Sequence, residues 1–342
     1  MDYWEVYCLC TRNREQSVRE LELKENDVNS NFAYEKRNKM SRIPSGMEAM
    51  LSSLSTVLSV VMKDVYKDFP ELQYKYSGEM YHYTSADVLP LIILENGVKI
   101  RFTDYRFLND TSEGEEFPAI FQCQLKRLYD IGKINEEFYN EACKLSIDRN
   151  PSHLFVACFS ENRDSLPMWN YYLKNGKYEG YSLGFDFSPL NQMHNISVLK
   201  VIYDDKTKND IIESMIMKAA DNKELSVSQQ CKELIESAFQ LSLLMKKQCF
   251  CHEKEIRLVL NYSTNDDNSI YKYEKIHYCN KNGVLQPYCD VTFRDKKIFK
   301  SCCYAPTMQQ QLTELGLDTF FRLYDYDTSS ISISQSEIPV RY

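Results

Sequence analysis

Glycine is scarce in this chain, ten in 342 residues, and no two glycines are separated by a single residue. A Gly-x-Gly-x-x-Gly turn needs them because the backbone must approach a pyrophosphate closely, and the Gly-x4-Gly-Lys loop cradles phosphates in the same way. Both cradles are absent, and a serine-hydrolase elbow is not expected either. Whatever the chain binds, it does not use those cradles.

With 342 residues there is enough chain for a substantial core in one large domain or two ordinary ones. The 43% hydrophobic and 26% charged content is that of a globular protein, not of a disordered or fibrous one. Forty-one basic against 49 acidic side chains leave a net charge of −8, so overall charge does not imply a nucleic-acid partner. The N-terminus, Met1-Asp2-Tyr3-Trp4-Glu5, lacks the basic start of a secretory signal, and the longest uncharged run, Ala49 to Met62, is too short and too rich in serine to span a bilayer. A cytoplasmic protein without membrane contact is the expectation. Twelve cysteines with no Cys-x-x-Cys fit reduced thiols. In Cys249-Phe250-Cys251-His252, read as a strand, the two thiols share one face and His252 points away, so no metal site is expected.

The chain divides into a polar extension over 1–46, an amphipathic helical segment over 47–78 and one larger domain over 79–342. Met50, Leu51, Leu54, Val57, Leu58, Val61 and Met62 form one apolar stripe and predict a helix from about 47 to 68. Strands are predicted near 79–84, 98–103, 153–160, 181–187, 196–203, 255–262, 283–290, 298–304 and 331–334. Helices are predicted near 87–95 (capped by Gly97), 113–147, 207–221, 227–247 and 308–315. Long helices inserted into a largely antiparallel strand set make an α+β fold.

Three segments carry more polar character than packing requires. On a strand through Tyr81-His82-Tyr83-Thr84-Ser85, His82 and Thr84 share a face, which suits a structural histidine or a contact to a sugar hydroxyl. Cys158-Phe159-Ser160-Glu161 ends an apolar strand, and Trp169 and Tyr172 just after it form either a packed cluster or a flat wall for an aromatic ligand. Period-two alternation places Glu253, Glu255 and Arg257 opposite Ile256, Leu258 and Leu260. That row is a solvated face, or two carboxylates with a fixed cation lining a cleft.

Taken in order, Tyr81 to Ser85, Phe107-Leu108-Asn109-Asp110 with Glu113, Cys158 to Glu161, Met168 to Tyr172, Gly180 to Asp186, Phe250 with Glu253-x-Glu255-x-Arg257, and Ser336 to Arg341 resemble the bacterial family catalogued as domain of unknown function 2971. The resemblance covers about 79–342. The order His-x-Thr, strand-end Ser, aromatic wall and Glu-x-Glu is in turn similar to that of ADP-ribosyltransferases, whose split pair of antiparallel sheets clasps NAD.

That second likeness implies roles. His82 with Thr84 would hold the adenosine ribose, Ser160 would support the glutamate, and Trp169 or Tyr172 would stack on nicotinamide. Glu255 would contact the nicotinamide ribose with Glu253 assisting transfer. Arg257 has no counterpart in that superfamily and joins the cofactor-binding set only as the fixed cation beside the two carboxylates. The expected function is an NAD-dependent ADP-ribosyltransferase or NAD glycohydrolase of a bacterial defence or toxin type, with an unidentified macromolecular acceptor. Two other readings stay open. Asp110, Glu113, Glu253 and Glu255 could hold a divalent metal for phosphodiester cleavage, or the chain is a ligand-sensing or partner-binding module docking through the 47–68 helix.

Overall fold

Alternation of apolar residues along short strands builds a twelve-stranded sheet. The computed structural model describes residues 60–72, 78–108, 116–145, 154–173, 179–188, 196–262, 271–273 and 275–339, all within the compact unit Leu58–Tyr342. The 1–46 extension, the start of the 47–68 helix, and Asn109, Asp110 and Glu113 lie outside the described residues.

The strands are β1 (Met80–Ser85), β2 (Ile93–Leu94), β3 (Gly97–Asp104), β4 (Leu154–Ser160), β5 (Gly180–Phe185), β6 (Ile196–Lys200), β7 (Glu255–Asn261), β8 (Tyr271–Tyr273), β9 (His277–Lys281), β10 (Val284–Phe293), β11 (Phe299–Tyr304) and β12 (Ser332–Gln335). The main path runs β12-β11-β5-β1-β4-β3-β10-β8. Among these named strands every ladder is antiparallel except β11 with β12. The mixed, mostly antiparallel architecture is the one the sequence predicts.

The sheet forks at β4. One edge of β4 pairs with β7 over its whole length, Leu154↔Asn261 to Ser160↔Glu255. The opposite edge meets β1 only at Tyr81↔Ser160 and β3 only at Thr103↔Val156 and Asp104↔Phe155. Tyr81, Ser160 and Glu255 therefore stand in one row across three strands, at the end where β1 and β3 diverge.

Alternation sorts the two faces. Met80, Phe155, Phe159, Ile256, Leu258 and Leu260 enter the main core, closed on one side by Leu317 and Phe321. These last two project from α8 (Gln310–Leu323). On the opposite face Val156 and Val259 meet Leu243, just beyond α7 (Val227–Ser242). A separate helical core gathers α1 (Val60–Asp68), α3 (Glu116–Asp130), α4 (Glu136–Cys143), α6 (Asp205–Asp221) and α7. Local chemistry starts these helices. Asp204 accepts from Thr207 N at 2.7 Å, and Ser226 with Gln229 forms a capping box.

Two boundaries differ from expectation for local reasons. The helix predicted over 113–147 is broken where Gly132 takes φ +71° and Asn135 caps α4 by accepting from Phe138 N. Gly97 caps no helix: the helix ends at α2 (Leu89–Ile92), and Gly97, at φ +138°, opens β3 so close to β10 that a Cβ there would lie 2.1 Å from the Phe293 carbonyl oxygen.

Candidate functional site

At the fork a narrow cleft opens, lined by Tyr81, His82, Tyr83, Cys158, Phe159, Met168, Tyr172, Glu253 and Glu255. Four sequence-predicted residues, His82, Tyr172, Glu253 and Glu255, come together here from β1, α5 (Leu166–Tyr172), a 3₁₀ turn (Gln248–Glu253) and β7.

His82 fills the gap between the diverging strands. Its Nδ1 lies 3.3 Å from the Cys158 carbonyl oxygen, and its ring is 5.5 Å from that of Phe159. Burial lowers its pKa, which the Cys158 contact only partly offsets, so the imidazole is neutral at physiological pH.

Glu253 and Glu255 do not share a strand face, as alternation alone suggests. The strand starts at Glu255, Lys254 is left-handed at φ 42°, and Glu253 ends the 3₁₀ turn. The two carboxylates converge because both meet one ammonium: Lys246 Nζ lies 2.5 Å from Glu253 Oε2 and 3.0 Å from Glu255 Oε2. Arg257 grips Glu255 from behind, Nε to Oε1 at 2.8 Å and an Nη to Oε2 at 3.2 Å, and donates a third bond to the Leu243 carbonyl at 3.0 Å. Burial by itself would raise the Glu255 carboxyl, but Arg257 and Lys246 overcome it and hold the group at about 2. Glu255 is 4% exposed and Arg257 1%, so this is an interior ion cluster. The backbone N–H of Glu255 donates to the Tyr203 hydroxyl at 2.9 Å.

Ser160 stands behind the cleft and is fully buried. Its hydroxyl donates to the Glu253 carbonyl at 2.6 Å and accepts from Asn162 N at 3.0 Å, so it positions the turn that presents Glu253. Tyr172 forms the outer wall, and burial followed by the nearby Cys158, Glu253 and Glu255 raises its pKa, which keeps it a neutral ring.

Trp169 and Thr84 do not line the cleft. Trp169 is wholly buried, packs edge-on to Tyr83 at 4.9 Å and donates from Nε1 to Asp164 Oδ1 at 2.6 Å. It supports α5 from beneath. Thr84 is buried further along β1, opposite Tyr181 of β5.

Lys246 is the residue that the sequence reading missed. Its signal was a lysine directly after the apolar run Leu243-Leu244-Met245, a context in which a buried cation needs carboxylates. The Cys249–His252 stretch folds as a 3₁₀ turn and not as a strand. Among the described residues no group of three His, Cys, Asp or Glu is placed to hold a metal. Gly180-Tyr181-Ser182-Leu183-Gly184 does spell Gly-x-Ser-x-Gly. However, it runs straight along β5 with Ser182 fully buried, so it lacks the exposed strand-to-helix turn of a nucleophile elbow.

Residues 168–258 match the model of a family described as a protein of unknown function, DUF2971. Over that stretch the chain is similar to this family. The matched segment begins at Met168 in α5 and ends at Leu258 in β7, so it holds Tyr172, Lys246, Glu253, Glu255 and Arg257, while His82 and Ser160 precede it. No curated protein and no solved structure matches the chain. Among the described residues no helix is long and apolar enough to cross a membrane.

Proposed function

We propose that this protein cleaves NAD at the nicotinamide–ribose bond, as an ADP-ribosyltransferase or an NAD glycohydrolase. The observation that carries the reading is the convergence of His82, Tyr172, Glu253 and Glu255 on one cleft at the fork of the sheet. The fork also supports the ADP-ribosyltransferase-like reading of the fold.

The chemistry assigns each group a task. The neutral Tyr172 ring takes the flat, cationic nicotinamide against its face. Loss of nicotinamide leaves positive charge on the ribose, as in glycoside cleavage, and a fixed carboxylate stabilises it. Glu255, ionised at about 2, serves as that charge and not as an acid. Lys246 and Arg257 make the cluster formally neutral, but the carboxylates line the cleft and the two cations do not, so the near field is negative. Glu253 accepts the proton of the attacking water or acceptor nucleophile. His82, neutral and beside Glu255's row, offers a hydrogen bond to a ribose hydroxyl. A defence or toxin-type role belongs to the same proposal.

The divalent-metal reading is weaker, because Glu253 and Glu255 are already committed to Lys246 and Arg257. The test is free nicotinamide followed by chromatography after incubation with NAD. Release by the wild type and none by Glu255→Gln supports the reading; no release by the wild type and no calorimetric NAD binding discards it.

A further inference from the structure

Lys208 stands first in the buried stripe of α6, ahead of Ile211, Ile212 and Met215, and has no exposed surface. A lysine in such a place must satisfy three N–H donors without water. Its acceptors are Glu116 Oε1 at 2.6 Å, Asp205 Oδ1 at 2.7 Å and the backbone carbonyl of Lys246 at 3.1 Å. Burial by itself would lower the Lys208 pKa, but Asp205 and Glu116 overcome it and raise it, so the group is an ammonium. Glu116 opens α3 and Asp205 opens α6, and those two bonds staple the helical core. The third bond leaves that core. It reaches the residue whose own ammonium holds Glu253 and Glu255 at the cleft.

Chain geometry brings the two lysines together. Ile202 runs beside Met245 in a parallel bridge, with Ile202 N donating to the Leu244 carbonyl at 2.7 Å and Lys246 N to the Ile202 carbonyl at 3.2 Å. α6 starts shortly after, at Asp205, and helical side chains lean back toward their own N-terminus. The Lys208 ammonium is thereby returned to position 246. The Lys246 backbone is held from both sides, its N–H by Ile202 and its C=O by Lys208, while the nearby Leu243 carbonyl takes Arg257 at 3.0 Å.

We propose that Lys208 is a positioning residue of the cleft: by holding the Lys246 carbonyl it sets the Lys246 ammonium between Glu253 and Glu255. The positioning stands on these bonds; its consequence for turnover rests on the NAD reading. Without Lys208 a buried carbonyl loses its donor, the segment turns toward another partner, and one ammonium no longer meets both carboxylates.

The test is carbon-13 NMR titration of the glutamate carboxyls. The double variant Lys208→Met with Glu116→Gln removes a cation and an anion together, so net charge is kept and neither of the two is left unpaired in the core. Glu116→Gln alone loses the ion pair but keeps the Lys208–Lys246 bond. Glu255 is faced by Arg257, Lys246 and Cys158, and Glu253 shares Lys246 with it. None of these is altered in either variant. In the wild type and in Glu116→Gln, Glu255 titrates at about 2. In the double variant its midpoint rises by about one unit or more, and kcat for nicotinamide release falls about tenfold with KM near the wild-type value. A midpoint equal in all three proteins overturns the proposal. So does an equal rise in Glu116→Gln, which a merely structural staple would give. If the double variant does not fold, Lys208→Arg decides: the longer planar head pushes the Lys246 carbonyl aside at unchanged charge, and an unmoved Glu255 midpoint there overturns the proposal. The expected rise, in a protein whose wild type releases no nicotinamide, leaves the positioning standing and removes the NAD reading.

Discussion

Lys246 is the keystone of the ion cluster, and Lys246→Met is the substitution that tests it. Methionine keeps the length and apolar stem while removing the ammonium. Glu253 Oε2 and Glu255 Oε2, which now share one cation at 2.5 and 3.0 Å, would face each other while Arg257 stays on Glu255. At about 3 Å and an effective dielectric near 20, each lost attraction is on the order of 5 kcal/mol before solvation is counted. Relief of the buried ammonium's own desolvation returns part of this, so the net loss is about 3–5 kcal/mol at pH 8. At about 2 °C per kcal/mol for a unit of this size, the midpoint falls by roughly 5–10 °C. The penalty must shrink with acid. Without Lys246 one carboxylate has a folded-state pKa above its unfolded value, so protonation near pH 5 relieves the repulsion. Thermal unfolding by circular dichroism at pH 8 and pH 5 reads both effects. A loss below about 1 kcal/mol, or one equal at the two pH values, refutes the cluster as drawn.

The remaining predictions are independent of that variant. In the wild type the Glu255 carboxyl is depressed from 4.5 to about 2, so its contribution of about 3 kcal/mol is full above pH 4.5 and disappears as pH falls toward 2; urea midpoints across that window fall for the wild type and fall less for Glu255→Gln. Trp169→Ala empties a wholly buried site and costs about 3–5 kcal/mol by denaturant unfolding. Tyr172, 37% exposed, tolerates alanine within about 1 kcal/mol, while KM for NAD rises; unchanged KM would remove it as the nicotinamide wall. Gly97→Ala places a Cβ 2.1 Å from the Phe293 carbonyl at φ +138° and lowers the melting temperature sharply, by 1 kcal/mol or more on the order-of-magnitude scale of backbone strain.

Much of the fold was legible because the sheet obeys the two-residue period. Phe155, Phe159, Ile256 and Leu258 alternate as cleanly in the sequence as in the core. β9, largely exposed, carries no such alternation and escaped. Glu255, His82 and Tyr172 were legible as chemistry stranded in apolar surroundings. Lys246 was not, because its meaning depends on the turn that folds residues 248–253 back over it. Trp169 was open between a packed cluster and a ligand wall for the converse reason: sequence shows an aromatic beside a polar strand end, and only packing shows that Asp164 and Tyr83 enclose it. The fork at β4 depends on three partners distant in sequence, which no local pattern encodes.

The central claim is that the cleft at the fork seats the nicotinamide ribose. A crystal structure of Glu255→Gln with NAD tests it most directly, since on this proposal the variant binds NAD without cleaving it. The account predicts the nicotinamide ring within about 4 Å of Tyr172, with its ribose toward position 255 and His82. A dinucleotide bound elsewhere on the sheet, or no bound NAD in crystals of the folded variant, contradicts it.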